Sequence, residues 1–209
     1  MKHRLTLFIL LLMLCAIGIG SWFLTPWESW GKGGDAKGKE VVIDRYDRVL
    51  DEYVSLNSYT ALGRMNTQYP METKLLIEDV LKLGVVNEPD VEQRLRYYYL
   101  DSTVQVLLDE VHRQYADMSD IEADFNRAFE ELREQDPDFR TPHVYTQISC
   151  LNQSIVVSDT LIGISLDKYL GADFPLYAEY YSPEQRTQMT RDAIVRDAIN
   201  AYLARENRK

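Results

Sequence analysis

The chain has 209 residues, a formal net charge of −10 and two cysteines, Cys15 and Cys150. Five of its 23 basic residues but only two of its 33 acidic residues precede residue 40, so the rest of the chain is strongly acidic. Without a basic patch such a chain would repel phosphate backbones, which excludes nucleic-acid binding. The two isolated cysteines exclude a disulfide framework, so stability must come from a hydrophobic core.

Residues 1–30 are predicted to be an N-terminal signal or anchor segment. Lys2 and Arg4 precede the uncharged stretch Leu5–Leu24, and about 20 residues are enough to cross ~30 Å of hydrocarbon. The basic start predicts that the rest of the chain faces the periplasm. Three interpretations stay open: an uncleaved helix, a signal peptide cleaved after Gly18 or a nearby residue, and a lipid on Cys15. Cleavage would release the domain, whereas the other two attach it to the membrane.

The Gly- and Lys-rich residues 31–40 predict a flexible linker, and residues 41–209 predict one folded domain. The first half of this domain has apolar residues at helical spacing. Helices are predicted over residues 45–55, 57–69 and 75–83, and in several pieces between 89 and 136. Asp44 is the expected cap of the first helix, Gly84 the end of the third, and Ser119 and Glu122 a capping box for the last.

The second half of the domain changes to runs rich in β-branched residues. Residues 143–149, 153–157 and 161–166 are predicted strands. The pair Ser158-Asp159 predicts a hairpin between the last two strands, within a small antiparallel sheet. The stretch Ser182–Gln185 has the capping serine and first-turn proline of a helix start, and this helix is predicted to run to Arg205. The predicted fold class is therefore α+β.

Sequence motifs for catalysis are absent. His112 and His143 lie far apart in different predicted elements, without the spacing of a zinc site. The chain also has no glycine-rich phosphate loop and no nucleophile elbow. Cys150 lies in a strand-like run and is predicted to be a buried apolar residue rather than a nucleophile. The residues therefore give no positive evidence for an enzyme and predict no cofactor or metal site, while acid–base chemistry by a pair of carboxylates stays open.

The densest cluster of aromatic and charged residues follows the third predicted strand. It contains Asp167, Tyr169, Asp173 and Tyr177. One interpretation is a loop that packs its own aromatic rings over the edge of the sheet; the other is an exposed binding loop. These four residues form the candidate interaction surface.

Three stretches, Tyr145–Ser149, Ser154–Gly171 and Asp173–Tyr177, resemble the gliding-motility lipoprotein B (GldB) family of Bacteroidetes. Looser similarity extends from Asp44 to Arg205. The resemblance implies a lipoprotein of the cell envelope that is associated with gliding motility and has no catalytic activity. It also implies envelope proteins as partners and membrane attachment through the N-terminal segment.

The GldB family is in turn similar to predicted zinc peptidases, and Arg196–Asn200 stands where those have His-Glu-x-x-His. This implies a degenerate, metal-free zincin-like fold. Leu14 precedes Cys15 where lipoproteins usually have a smaller residue, and family members usually continue beyond Arg205, which indicates a truncated C-terminus. The leading hypothesis is a membrane-attached envelope protein that acts by protein–protein contacts; the alternative is a peptidase-like hydrolase with a non-standard site.

Overall fold

The computed structural model describes residues 40–206. The predicted leader with Cys15, the linker up to residue 39 and residues 207–209 lie outside the described residues. Across the described part, no helix combines the length and apolar character needed to cross a bilayer.

The first two helices pack against each other. Helix α1 spans Tyr46–Leu56, and helix α2 spans Tyr59–Thr67. In α1 the residues three and four positions apart are apolar, which gives the helix one face to bury. The buried apolar side chains of α1 are Tyr46, Val49, Leu50, Tyr53 and Val54.

The ends of these two helices differ from the prediction. Asp44 does not cap α1, because its main chain pairs with Tyr145 in a parallel bridge and Arg45 takes the N-cap position. Asn57, the predicted start of the second helix, ends α1 in a left-handed conformation with φ of 53°. Ser58 caps α2 instead, by accepting a hydrogen bond from a main-chain N–H.

Helix α3 spans Pro70–Lys74 and continues as a π-helical turn over Leu75–Val80. Proline is well tolerated in a first turn, where its missing N–H would have no partner within the helix. The helix predicted over 75–83 therefore begins and ends earlier than expected. After it, Lys82 and Gly84 have positive φ values of 55° and 133°, and the chain turns away.

Three longer helices follow: α4 spans Val91–Tyr99, α5 spans Ser102–Gln114 and α6 spans Ser119–Gln135. The capping box predicted for α6 is wrong. The carboxylate of Asp117 accepts the Ser119 N–H at 3.0 Å. The carboxylate of Glu122 accepts the Ile43 N–H at 2.9 Å instead and holds the segment before α1.

The three strands are β1 at His143–Gln147, β2 at Ile155–Val157 and β3 at Leu161–Ser165. The sheet order is β1-β3-β2. The predicted β2–β3 hairpin is confirmed, since these strands pair antiparallel. The prediction of a wholly antiparallel sheet is wrong, because β1 pairs parallel with β3 and the chain crosses over between them. The sheet is therefore mixed, and its central strand is fully buried.

The C-terminal region begins with two short helices, α7 at Tyr177–Tyr180 and α8 at Pro183–Arg186. The capping box predicted at Ser182 is present, but the helix that it opens ends at Arg186. The long helix α9, Ile194–Glu206, begins only after a 3-10 turn and packs on β2, β3 and α6. The α+β class is confirmed, with the C-terminal helix shorter than predicted.

Arg191 explains where the C-terminal helix is interrupted. Its guanidinium pairs with the carboxylate of Asp120, at 2.9 and 2.6 Å, and donates to the carbonyl oxygens of Gln114 and Asp117. It also lies 4.8 Å from the ring centroid of Tyr115. These contacts tie the segment before α9 to the α5–α6 connection.

Candidate binding groove

A buried carboxylate organises the loop after β1. Asp167 has no exposed surface, and its carboxylate oxygens accept the N–H groups of Ser149 at 2.8 Å and Leu151 at 2.6 Å. The Ser149 hydroxyl is also 3.2 Å from this carboxylate. Cys150 and Leu151 have φ values of 52° and 66°, a left-handed conformation that non-glycine residues rarely adopt. The hydrogen bonds to Asp167 stabilise this conformation.

The ionised form of Asp167 experiences two opposing influences. Removal from water raises the pKa of Asp167, and this is the largest effect. The N–H groups of Leu151 and Ser149 act in the opposite direction, because they stabilise the negative charge. Fixed main-chain dipoles thus take the place of solvent around this carboxylate.

Lys168 holds the same loop from its other side. Its ammonium donates to the Leu151 carbonyl oxygen at 3.3 Å and to the Tyr181 hydroxyl at 2.7 Å, and it lies 4.3 Å from the centroid of the Tyr181 ring. The Tyr181 hydroxyl in turn donates to the Leu151 carbonyl at 2.9 Å. Burial lowers the pKa of Lys168, and the negative charge of Asp167 opposes that shift. Two adjacent residues therefore position both Leu151 and Tyr181.

Tyr169 and Tyr177 are also structural. The Tyr177 hydroxyl donates to the Asp167 carbonyl at 2.7 Å and accepts the Leu170 N–H at 2.9 Å. The Tyr169 hydroxyl donates to the carboxylate of Asp197 at 3.3 Å. Burial raises the pKa of both phenols, so both remain neutral hydrogen-bonding groups.

The predicted interaction surface must accordingly be corrected. Asp167, Tyr169 and Tyr177 are buried, so they cannot be reached by a partner in this conformation. Only Asp173 of the four is exposed. These three residues fit the other interpretation, a loop that packs its own aromatic rings. Their polar atoms bond to the main chain and to Asp197 rather than facing solvent.

The loop that Asp167 and Lys168 hold forms one wall of a groove of about 770 Å³. The other walls come from α4, α5 and the region around α7. The lining residues are Tyr97, Tyr98, Asp101, Thr103, Val104, Leu107, Cys150, Leu151, Asn152, Tyr180 and Tyr181. Four of them are tyrosines, and three are aliphatic: Val104, Leu107 and Leu151.

Two of the groove tyrosines are open to solvent. Tyr97 is 65% exposed and Tyr180 is 57% exposed, whereas Tyr98 and Tyr181 are half-buried. The Asn152 amide donates to the Tyr98 hydroxyl at 3.4 Å and to the Ser149 carbonyl at 2.9 Å. Tyr98 and Tyr181 are therefore held in place by the protein, whereas the surfaces of Tyr97 and Tyr180 are available for contact.

Asp101 and Cys150 give the groove its remaining chemistry. Asp101 is exposed and caps α5, since its Oδ1 accepts the Thr103 N–H at 2.8 Å. Cys150 is half-buried, and burial raises the pKa of its thiol, with a further contribution from the charge of Asp167. The raised pKa disfavours the thiolate and so argues against a nucleophilic role. The prediction of a buried residue in a strand is wrong, because Cys150 is only half-buried and lies in the left-handed turn after β1.

The histidines and the peptidase-like stretch lie elsewhere. His112 pairs with Asp51 at 3.4 Å and His143 with Asp44 at 3.0 Å. Asp197 is on α9, where its carboxylate accepts hydrogen bonds from Tyr169 and from its neighbour Arg196. Among residues 40–206 no group of three or more His, Cys, Asp or Glu side chains is arranged to hold a metal ion.

Sequence reasoning missed the groove tyrosines, although a signal was present. Tyr97, Tyr98 and Tyr99 are consecutive on a helix, where successive residues point about 100° apart and cannot share one buried face. Tyr99 is buried and donates to the Ile148 carbonyl, which leaves Tyr97 to solvent. A run of three aromatic residues on a helix therefore predicts at least one exposed ring.

Over residues 40–206 the fold and site define an α+β domain with a tyrosine-lined groove. A family model described as gliding motility protein GldB matches residues 32–209. Since this is most of the chain, the chain belongs to the GldB family, and the family predicted from the resemblance is confirmed. Comparisons with curated proteins and with solved structures found no match.

Proposed function

We propose that this chain is a membrane-attached protein of the cell envelope that acts by binding another protein, without catalysis. Membership of a gliding-motility lipoprotein family supports an envelope location. The apolar stretch Leu5–Leu24 and the possible lipid site at Cys15 are the two routes to attachment that its sequence provides. The basic start supports a periplasmic position for the domain.

The observation that carries the binding role is the exposure of Tyr97 and Tyr180 at one groove. Tyrosine is enriched at the energetically important centres of protein interfaces, because it buries a large area with little loss of side-chain freedom and keeps a polar tip. A solvated tyrosine ring elsewhere needs no explanation, but two on a concave surface with an apolar floor form a suitable anchor site.

Site-specific photocrosslinking in intact membranes tests this proposal. We would place p-benzoylphenylalanine at Tyr97 or Tyr180 of the full chain, with Tyr59 as the matched control. Tyr59 is 79% exposed but lies on α2 and does not line the groove. We expect the same discrete partner adduct from both groove positions and none from the control. Identical adducts from all three positions, or none from the groove, would overturn the proposal.

A further inference from the structure

The groove is acidic as well as aromatic. Asp101 is the charged residue of its lining, and no Lys or Arg is among the side chains that line it. From residue 40 onward the chain retains 31 of its 33 acidic residues but only 18 of its 23 basic ones. Lys168 lies beside the groove, but its ammonium is engaged by the Tyr181 hydroxyl and the Leu151 carbonyl oxygen, and the buried carboxylate of Asp167 offsets its charge. The exposed charge of the lining is therefore the carboxylate of Asp101, which attracts a cation.

We infer that the groove binds an extended peptide segment in which an arginine or lysine stands next to a large apolar side chain. This rests on the proposed function and specifies the chemistry of the partner. The apolar side chain would contact the floor, where Val104 and Leu107 are buried and Leu151 is half-buried. The cation would lie at the rim, near Asp101 and the exposed faces of Tyr97 and Tyr180.

Asp101 is suited to this role because capping uses one of its oxygens, Oδ1, at the start of α5. A carboxylate has two oxygens with about four acceptor positions, so Asp101 can accept a guanidinium or ammonium while it remains a cap.

The tyrosine faces add a second attraction for a cation. A lysine or arginine placed over an aromatic ring is attracted to the negative face of that ring. The domain uses the same contact internally, with Lys168 at 4.3 Å from the Tyr181 centroid and Arg191 at 4.8 Å from the Tyr115 centroid. The exposed rings of Tyr97 and Tyr180 offer this contact to a partner.

A cationic peptide fits these features better than a glycan or a lipid surface does. A neutral glycan could stack on the tyrosines but gains nothing from the acidic field, and an anionic membrane surface would be repelled by it. An alternation of cationic and apolar residues uses both the floor and the rim, because successive side chains of an extended peptide point to opposite sides and can be shared between them.

Fluorescence anisotropy with synthetic peptides tests the inference on the full chain in nonionic detergent. The probe is a short peptide of alternating arginine and leucine, compared with glutamate–leucine and arginine–serine versions of equal length. We expect saturable one-to-one binding of the arginine–leucine peptide, and Kd values at least about tenfold higher for the other two. Equal affinity for all three peptides would overturn the inference.

Paired variants assign the binding to the groove. Tyr97→Ser combined with Tyr180→Ser should raise Kd for the arginine–leucine peptide about tenfold or more. Asp101→Asn should raise it about threefold to tenfold, because asparagine keeps the helix cap but removes the charge. Tyr59→Ser and Asp109→Asn, at exposed positions outside the groove, should leave Kd unchanged. Equal losses in the groove and control variants would indicate non-specific attraction and overturn the inference.

Two further probes test whether the groove binds a glycan or an anionic lipid surface instead of a cationic peptide. Chitohexaose should not bind, and vesicles with anionic lipid should bind the wild type and the Tyr97→Ser/Tyr180→Ser variant equally. Groove-dependent binding of either probe would overturn the inference. The crosslinking experiment tests the proposed function separately. Discrete crosslinks from positions 97 and 180 without binding of the arginine–leucine peptide would support a protein partner but refute a cationic one. The absence of those crosslinks would refute the protein partner itself.

Discussion

Asp167 is an interior carboxylate whose partners are mainly main-chain N–H groups. Replacement by alanine would leave the Ser149 and Leu151 N–H groups without their acceptor. Because each buried, unsatisfied N–H costs about 1–3 kcal/mol, we expect Asp167→Ala to lower the free energy of unfolding by about 2–4 kcal/mol. Asparagine should recover only part of this, since its NH₂ group would face one of the two donors. Chemical denaturation of the full chain in detergent measures the loss.

Asp173→Ala is the matched control for this prediction. Asp173 is an exposed carboxylate in the same segment, and exposed substitutions away from caps and networks usually change stability by less than about 0.5 kcal/mol. Equal stability of the Asp167→Ala and Asp173→Ala variants would contradict the structural role of Asp167.

Glu72 makes stability depend on pH. Its side chain is 7% exposed, and burial raises the pKa of Glu72 above its ordinary value, while His143, at 3.8 Å, opposes the shift. With a raised pKa the folded state holds its proton more tightly than the unfolded state does. This favourable contribution is present below the unfolded pKa and is lost as pH rises through the folded value.

Glu72→Gln should therefore flatten the pH profile of stability. We expect the wild type to lose stability relative to the variant as pH rises from about 4 through the folded pKa, with a constant difference above it. Thermal unfolding followed by circular dichroism at a series of pH values gives the two profiles. Parallel profiles for the two proteins would show that Glu72 does not titrate abnormally.

The candidate site was only partly predictable at the scale of single residues. The sequence drew attention to Asp167, Tyr169 and Tyr177, and two of these residues shape the groove. Asp167 holds the loop through the Leu151 N–H, and the Tyr177 ring packs edge-on against Tyr181 with 5.7 Å between the centroids. Tyr169 instead donates to Asp197 on α9. Aromatic density could not reveal which rings would be covered. The burial of Tyr169 depends on helices distant in sequence, because its hydroxyl bonds to Asp197 of α9, and local spacing carries no record of that contact.

Elements were predictable where their signals are local. The β2–β3 hairpin follows from one short turn, and the capping box at Ser182 follows from four consecutive residues. The parallel pairing of β1 with β3 depends on the left-handed turn at Cys150 and on Asp167, which is 17 positions later in the chain. The ion pair between Arg191 and Asp120, which holds the segment before α9, likewise joins residues distant in sequence.

The β1–β3 pairing also sets the size of one residue in the central strand. Gly163 lies opposite Tyr145 in the parallel register, and a Cβ at Gly163 would be 2.5 Å from both Cζ and Oη of that ring. Overpacking of this kind costs about 1–3 kcal/mol, so we expect Gly163→Ala to destabilise the domain by that amount. Denaturation of the variant tests the expectation.

A double-mutant cycle identifies the collision as the cause. Leucine ends before the ring atoms that a Cβ would meet, so Tyr145→Leu combined with Gly163→Ala should cost less than the sum of the single losses, by about 1 kcal/mol or more. Gly63→Ala is the control, because a Cβ there meets nothing within 4 Å and alanine favours a helix by up to about 1 kcal/mol. Strict additivity of the Gly163 and Tyr145 changes would contradict the explanation.

At the scale of the whole molecule, charge and hydrophobicity are separated along the chain. The first 24 residues contain an uncharged apolar stretch after a basic start, whereas the carboxylates are concentrated after residue 40. An acidic domain has no electrostatic attraction to an anionic lipid surface. Membrane association should therefore depend on the N-terminal segment and not on the folded domain.

Fractionation tests this dependence. The full chain should sediment with membranes and remain there after a carbonate wash, while a chain without residues 1–30 should stay in the supernatant, because a spanning helix or a lipid anchor is required for stable attachment. Release of both chains would refute the anchor. Cys15→Ala then separates the two routes: a variant that stays with the membrane identifies the helix, and one that is released identifies the lipid, whose mass would appear on the mature N-terminus of the wild type.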